Sequence, residues 1–147
     1  MENSLRAAVV GRKNSPVHFH IVKNLQIMQE IENLATKESP EENLDYLAVV
    51  PYYLVVSSKQ LQNADLFFKN LNLEIGTILG SLLVALHMAG IWCQVHNIKQ
   101  PVGLKKLLEL PEELTPILLF GLGYPKPGCV VTDVPLPRLQ LHATSLL

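Results

Sequence analysis

This sequence of 147 residues is short of charge and cysteine, and each shortage closes off a class of protein. Charged residues make up 17%, and 12 Lys and Arg against 13 Asp and Glu leave a net charge of −1. With the two signs interspersed there is no basic surface for nucleic acid and no polybasic membrane patch. Cysteine occurs twice, at Cys93 and Cys129, without a CxxC spacing, which gives neither a disulfide framework nor a zinc signature. The stretch from Met1 to Gly11 lacks the long apolar core of a signal peptide, so a cytoplasmic protein is expected. Internal repeats and low-complexity segments are also missing.

What is present is apolar. Hydrophobic residues reach 48%, above the usual share for a soluble domain once the low charge is considered. The length suits a single domain over 1–147, able to bury roughly two thirds of its unfolded surface. The excess has to be covered by a dense core or a subunit interface. From Ile75 to Ile98 the chain runs 24 residues without Asp, Glu, Lys or Arg. Such a run is long enough to span a bilayer, which takes about 20 apolar residues. Gly76 and Gly80 even have the small-xxx-small spacing of packed membrane helices. Buried-type strands elsewhere argue against that reading, because they need a core to cover them. The run is therefore expected to be a central helix covered on all sides and leading into a buried strand, with Gly76 and Gly80 where another backbone comes close. No membrane partner is expected.

The order of elements supports this. A short helix over Leu5 to Val10 stops at Gly11, and a turn through Asn14-Ser15-Pro16 leads into a strand, Val17 to Val22. Asn24 can cap a helix in which Leu25, Met28, Ile31, Leu34 and Ala35 recur at helical spacing. The stretch from Lys37 to Asn43 offers charge, a proline and nothing to bury, and reads as a solvated loop. Tyr52 to Val56 is β-branched and aromatic without alternation, as in a strand covered on both faces. A helix then starts near Leu61, continuing or restarting around Leu73, and runs to about Ala89, where Gly90 ends it. Ile91 to Val95 reads as a strand, Val102 to Leu108 as a small helix, and Ile117 to Leu122 as another buried strand.

In these elements four motifs, in order and with matching spacing, resemble the FMN-dependent nitroreductases. Glu74-Ile75-Gly76 and Ser81 to Ile91 are similar to that family's central helix, acidic-x-Gly followed by Asn-Leu-x-Leu-Ala-Ala-x-x-x-Gly-Leu. The spacing from Gly90 to Leu107-Leu108-Glu109-Leu110-Pro111 equals the family's spacing from its helix-ending glycine to Leu-Leu-Gly-Leu-Pro. Pro116 to Phe120 with Gly121-Leu122-Gly123-Tyr124-Pro125 looks like its last core strand, ending in Gly-Tyr-Pro. Upstream, Ala7 to Val22 resembles the segment carrying Pro-Ser-x-x-Asn-x-Gln-Pro, with Lys13 at the Asn and Ser15 at the Gln.

The resemblance implies an α+β fold: a nitroreductase-like α/β sandwich with a central buried helix, forming an intertwined homodimer. It implies FMN at the subunit interface, NADH or NADPH as reductant, and a nitroaromatic, quinone or similar small molecule as electron acceptor. The flavin would carry the chemistry, and no catalytic side chain need be sought. The alternative is a dimer of this fold without flavin, acting as a binding or structural protein. Two departures fall on expected cofactor contacts. The family's Arg-Ser-x-Arg helix, whose cations hold the flavin phosphate, precedes the point where this chain starts. Where many relatives have Trp-x-Gly-Gly-Phe, with backbone close to the flavin ring, this chain has Val95-His96-Asn97-Ile98-Lys99.

The implied cofactor residues are thus Arg12, Lys13 and Ser15 in the early turn, His96 and Asn97 after the central helix, and Arg138 near the C-terminus, with Lys126 a weaker choice. For the cations a solvated surface charge is the competing reading, and for His96 a histidine at a strand end. His18 and His20 should share a strand face. A metal pair there lacks a third ligand nearby, as does Cys93 with His96, so no metal site is assigned. Cys93 is expected to be a small buried residue, and Trp92, Tyr52 and Tyr53 to be core.

Overall fold

A computed structural model describes residues 17–59 and 65–128 of the chain; the expected helix over Leu5 to Val10 lies outside them. Strand β1, Val17–Val22, leads into helix α1, Leu25–Glu38, and a 3-10 turn over Asp45–Ala48 precedes strand β2, Tyr52–Lys59. Helix α2, Asp65–Met88, strand β3, Trp92–Asn97, helix α3, Pro101–Leu107, and strand β4, Leu114–Gly123, complete the order. The expected strands and helices between residues 17 and 123 are present, with the expected start of the long helix near Leu61 lying outside the described residues. The 3-10 turn is additional, and α2 is one unbroken helix rather than two.

Local chemistry explains the boundaries. Asn24 caps α1 by accepting hydrogen bonds from the backbone N–H groups of Gln26 and Ile27, at 2.9 and 3.3 Å. At the end of α2, Gly90 has φ +71°, its N–H donates to the His87 carbonyl, and the Ile91 N–H donates to Leu86, both at 2.9 Å. This paired closure needs a left-handed residue, which glycine adopts without a Cβ penalty. Helix α3 closes in the same way: Glu109 N–H donates to Lys106 and Leu110 N–H to Lys105. Here the left-handed position, φ +50°, is held by Glu109, where the motif it resembles has glycine.

The four strands form one antiparallel sheet in the order β1-β2-β4-β3. Since β2 and β3 both run antiparallel to β4, α2 must carry the chain across β4 to reach the far edge. On that face Ile78, Leu82 and Leu86 of α2 pack on Leu54 and Val56 of β2 and on Phe120 and Leu122 of β4. On the other face Met28, Ile31 and Ala35 of α1, Leu47 of the 3-10 turn and Leu104 of α3 cover Tyr53, Val55 and Leu119. β2 is thereby buried on both sides, as its unbroken apolar run predicts. The Tyr53 hydroxyl, sealed in that second layer, donates to the Leu47 carbonyl at 2.7 Å. Gly121 allows close approach of the same layer, because a Cβ there would meet the Tyr46 ring at 3.0 Å.

Between Val56 and Ser57 the β2–β4 register shifts: Val56 faces Leu118 and Ser57 faces Pro116, leaving Ile117 as the extra residue. A proline has no N–H to give to the ladder, and a bulge is where a strand tolerates it. The sheet covers only one face of α2, however. Among the described residues of the opposite face, Val84 and Met88 are exposed, and nothing lies within 4 Å of where a Cβ would stand on Gly76 or Gly80.

Two stability measurements check this account. Glu109→Gly should stabilise the protein by about 1 kcal/mol in urea unfolding, and Gly90→Ala should destabilise it by about the same amount, since only the first substitution relieves a left-handed side-chain residue. Burial, with smaller contributions from Glu32 and Tyr46, pushes the Tyr53 phenol up to about 12. Its neutral form is favoured in the folded state, so its contribution is fully present below pH 10 and is lost as pH rises from there through about 12. Tyr53→Phe should flatten that alkaline loss.

Candidate functional site

β3 is the edge strand that matters, because it carries His96 and Asn97 and borders a cavity. Ile98 N–H donates to the Ile117 carbonyl at 3.4 Å, and Asn97 stands opposite Leu118. Hydrogen-bonded and non-bonded pairs alternate along an antiparallel ladder. Cys93, Val95 and Asn97 therefore turn their N–H and C=O groups away from β4, toward an edge where no other described strand lies. Their side chains share the α2 face of the sheet, since they pair with Leu122, Phe120 and Leu118. Asn97 and Val95 are exposed there.

Beside them, the last turns of α2 and the start of β3 enclose an open, mainly apolar cavity of about 440 Å³. Leu83, Val84, His87, Met88, Trp92 and Cys93 contribute to its wall. Trp92, expected in the core, is 41% exposed. Cys93 packs partly against the core, and burial pushes its thiol pKa up, so it stays protonated and weakly nucleophilic at neutral pH. The cavity thus offers contact area and shape, while the strand edge offers hydrogen bonds.

On the opposite face of β3 stands a polar clasp. His96 is only 2% exposed, and its Nδ1 lies 3.0 Å from Glu42 Oε2, so the ring donates to that carboxylate with its proton on Nδ1. Nε2 is buried without a partner among the described residues. His96 and Glu38 both line a void of about 10 Å³, about the space of one water. Lys99 Nζ donates to Glu41 Oε1 at 2.7 Å, and the backbone N–H groups of Lys99 and Gln100 donate to Glu38 Oε2. The hydrogen bond and charge of Lys99 hold the exposed Glu41 carboxyl below its ordinary value, and Glu41 does the reverse for Lys99. The segment read from sequence as a solvated loop therefore has a job: Glu38, Glu41 and Glu42 tie the end of α1 to the β3–α3 junction, and Ser39 is fully buried.

Of the residues expected from sequence to contact a cofactor, Arg12, Lys13, Ser15 and Arg138 lie outside the described residues. His96 and Asn97 are described, adjacent in the chain, and on opposite faces of β3. Lys126 is exposed in the segment after β4. Sequence reasoning missed the three outward-facing amides and the acidic clasp. The amides carry no residue signature, and the only hint of the clasp was three glutamates within five positions. Among the described residues no group of three His, Cys, Asp or Glu is placed to hold a metal ion, and no helix is long and apolar enough to cross a membrane.

Comparison with known proteins places this architecture. No family model matches the sequence. Iodotyrosine deiodinase of Haliscomenobacter hydrossis is 28% identical over an alignment of 151 positions, covering 84% of this chain and 67% of that protein. Among solved structures, the FMN-dependent nitroreductase of Clostridium difficile R20291 superposes with a TM-score of 0.72 at 13% identity, over 99% of this chain and 86% of its own. NfrA1 of B. megaterium gives 0.75 at 13% identity, over 99% of this chain and 64% of its own. An iodotyrosine deiodinase bound to FMN and 3-iodo-L-tyrosine gives 0.65 at 20% identity, over 98% and 83%. The chain has the fold of these proteins, as its resemblance to the nitroreductases predicts.

The two faces of β3 should separate in mutagenesis. His96→Ala empties a buried site and removes its bond to Glu42, and is expected to cost about 2 kcal/mol or more in chemical unfolding. Asn97→Ala, on the exposed face, should stay within about 0.5 kcal/mol of the parent.

Proposed function

We propose that this chain, with its nitroreductase fold, is an FMN-dependent oxidoreductase that works as an intertwined homodimer in the cytoplasm. The observation that carries the reading is the fold match to an FMN-dependent nitroreductase over nearly the whole chain, joined to a curated sequence relative with the same fold. When bound, FMN supplies the redox chemistry, taking hydride from NADH or NADPH and passing electrons to a nitroaromatic, quinone or similar acceptor.

The residues present at β3 fit the ring of such a cofactor. The outward N–H groups of Val95 and Asn97 are donors without partners among the described residues, suited to the carbonyl and nitrogen acceptors along a flavin's edge. The Asn97 amide can add a donor and an acceptor. His96 works from the other face, where its bond to Glu42 fixes the strand end that presents Asn97. Arg12, Lys13 and Arg138 would hold the phosphate through charge-assisted hydrogen bonds, with Ser15 adding a hydroxyl. The cavity beside Trp92 and Met88 admits a flat apolar molecule and limits water around it.

The side of α2 that the described residues leave uncovered supports the dimer. Val84, Met88 and Trp92 are exposed apolar residues that line the cavity, and Val95 is exposed further along β3; exposed apolar surface of this kind marks interaction sites. A second copy offers the same small-residue stripe at Gly76 and Gly80, so two α2 helices can approach closely. A second reading of the reaction is reductive dehalogenation of a halogenated tyrosine. It is favoured by the 28% identity to a deiodinase.

The test is direct. Protein purified without added cofactor, or after incubation with FMN, should show visible flavin absorption at one flavin per chain and elute as a dimer. Anaerobic NADH or NADPH should bleach it, and reoxidation by a nitroaromatic, a quinone or 3-iodotyrosine should identify the acceptor class. A dimer that stays colourless with excess FMN overturns the enzyme reading and leaves the flavin-free binding protein. A monomer overturns the dimer.

A further inference from the structure

On its face turned away from α2, the outer strand β1 carries polar atoms that the described residues leave unsatisfied. His18 and His20 are two apart on the strand and share its α1-facing side, since their partners across β2 are Ser57 and Val55, and Val55 packs in the α1 layer. The Nε2 atoms of both histidines and the Oγ of Ser57 are buried, and none has a hydrogen-bond partner among the described residues. Ser57 stands directly opposite His18 and diagonal to His20, within the range at which cross-strand side chains meet. Three unpaired polar atoms thus cluster on one patch of sheet.

Leaving each of them unpaired costs about 1–3 kcal/mol, so the patch calls for an occupant. With the ring proton on Nδ1, each Nε2 offers a lone pair; a single serine proton cannot satisfy two of them, whereas one cation can accept both. Two imidazoles from alternate positions of one strand form a chelate for borderline ions rather than for Mg²⁺ or Ca²⁺.

We propose that His18 and His20 bind a first-row divalent transition ion of the Zn²⁺ or Co²⁺ type through their Nε2 atoms, with the Ser57 hydroxyl as a neighbouring oxygen and water completing the shell. No carboxylate or thiol joins them among the described residues, so the site is weaker than a four-ligand structural zinc site. It lies on the face of the sheet opposite α2 and its cavity, and does not depend on flavin binding.

The experiment uses the full chain, without an affinity tag and stripped of metal, titrated with Co²⁺ by visible absorption and with Zn²⁺ by calorimetry. One equivalent should bind, giving the ligand-field bands of nitrogen-coordinated cobalt. His18→Ala and His20→Ala should each abolish saturable binding, Ser57→Ala should weaken it about tenfold, and His87→Gln on the exposed face of α2 should leave it unchanged. Should the strand variants fail to fold, nitrogen-15 NMR of the parent decides, because Zn²⁺ should shift the Nε2 resonances of two of the five histidines. Absence of saturable binding overturns the site, as does binding that survives both histidine substitutions. NMR shifts confined to His87, His96 or His142 overturn it too.

Discussion

The structure depends on burying β4 from both sides. β4 lies between β2 and β3, and its apolar residues face α2 on one side and the α1–α3 layer on the other. Neither layer alone could cover a strand whose successive residues, Leu118 to Leu122, point alternately into the two cores. That requirement makes the chain cross over β4 after β2. The crossing takes a long helix, and the helix delivers β3 to the edge. Removing the crossover would leave Phe120 and Leu122 facing water, so the position of β3 follows from the core and not from the site.

That arrangement fixes what the edge can offer. One side of β3 is built into the α1 layer through His96 and Glu42, and the other is left open with Val95 and Asn97. The polar clasp at Glu38, Glu41 and Glu42 holds the strand's end without using its outward amides. Rigidity is thus supplied from behind, and hydrogen-bonding capacity is kept at the front. Exposed ion pairs such as Lys99 with Glu41 add little stability by themselves. Their value here is geometric, because they act together with two backbone bonds to Glu38 on one short junction.

Much of this was legible in the sequence, for identifiable reasons. The strand at Val17–Val22 and the cap at Asn24 were readable because each follows from local chemistry that tertiary contacts did not override. Gly90 was readable because only a residue free to take positive φ closes that helix. Glu109 was not flagged, since a side chain in a left-handed position leaves no mark in a pattern of apolar residues. The acidic segment after α1 is mostly exposed, as its charge and proline indicate, but its pairing with a junction some sixty residues away does not show in sequence. The apolar excess was correctly read as needing a cover, but the described residues cover only one face of α2. Hydropathy says how much must be hidden and not by whom. Of the candidate site, the outward amides are invisible to any reading of side chains, and the basic residues at either end lie outside the described residues.

The bulge at Ile117 and the proline beside it have a consequence for the molecule's behaviour in a crowded solution. β4 is longer than β3, so around Leu114 to Pro116 the sheet has a stretch of edge that β3 does not reach. An uninterrupted edge of that kind would be a template for strands of other molecules. Pro116 removes a donor from the ladder there, and the bulge turns the strand out of register. A foreign strand that paired with the edge of β3 would find no regular continuation beyond it, which limits such pairing to a short segment and keeps the sheet from growing into a shared one.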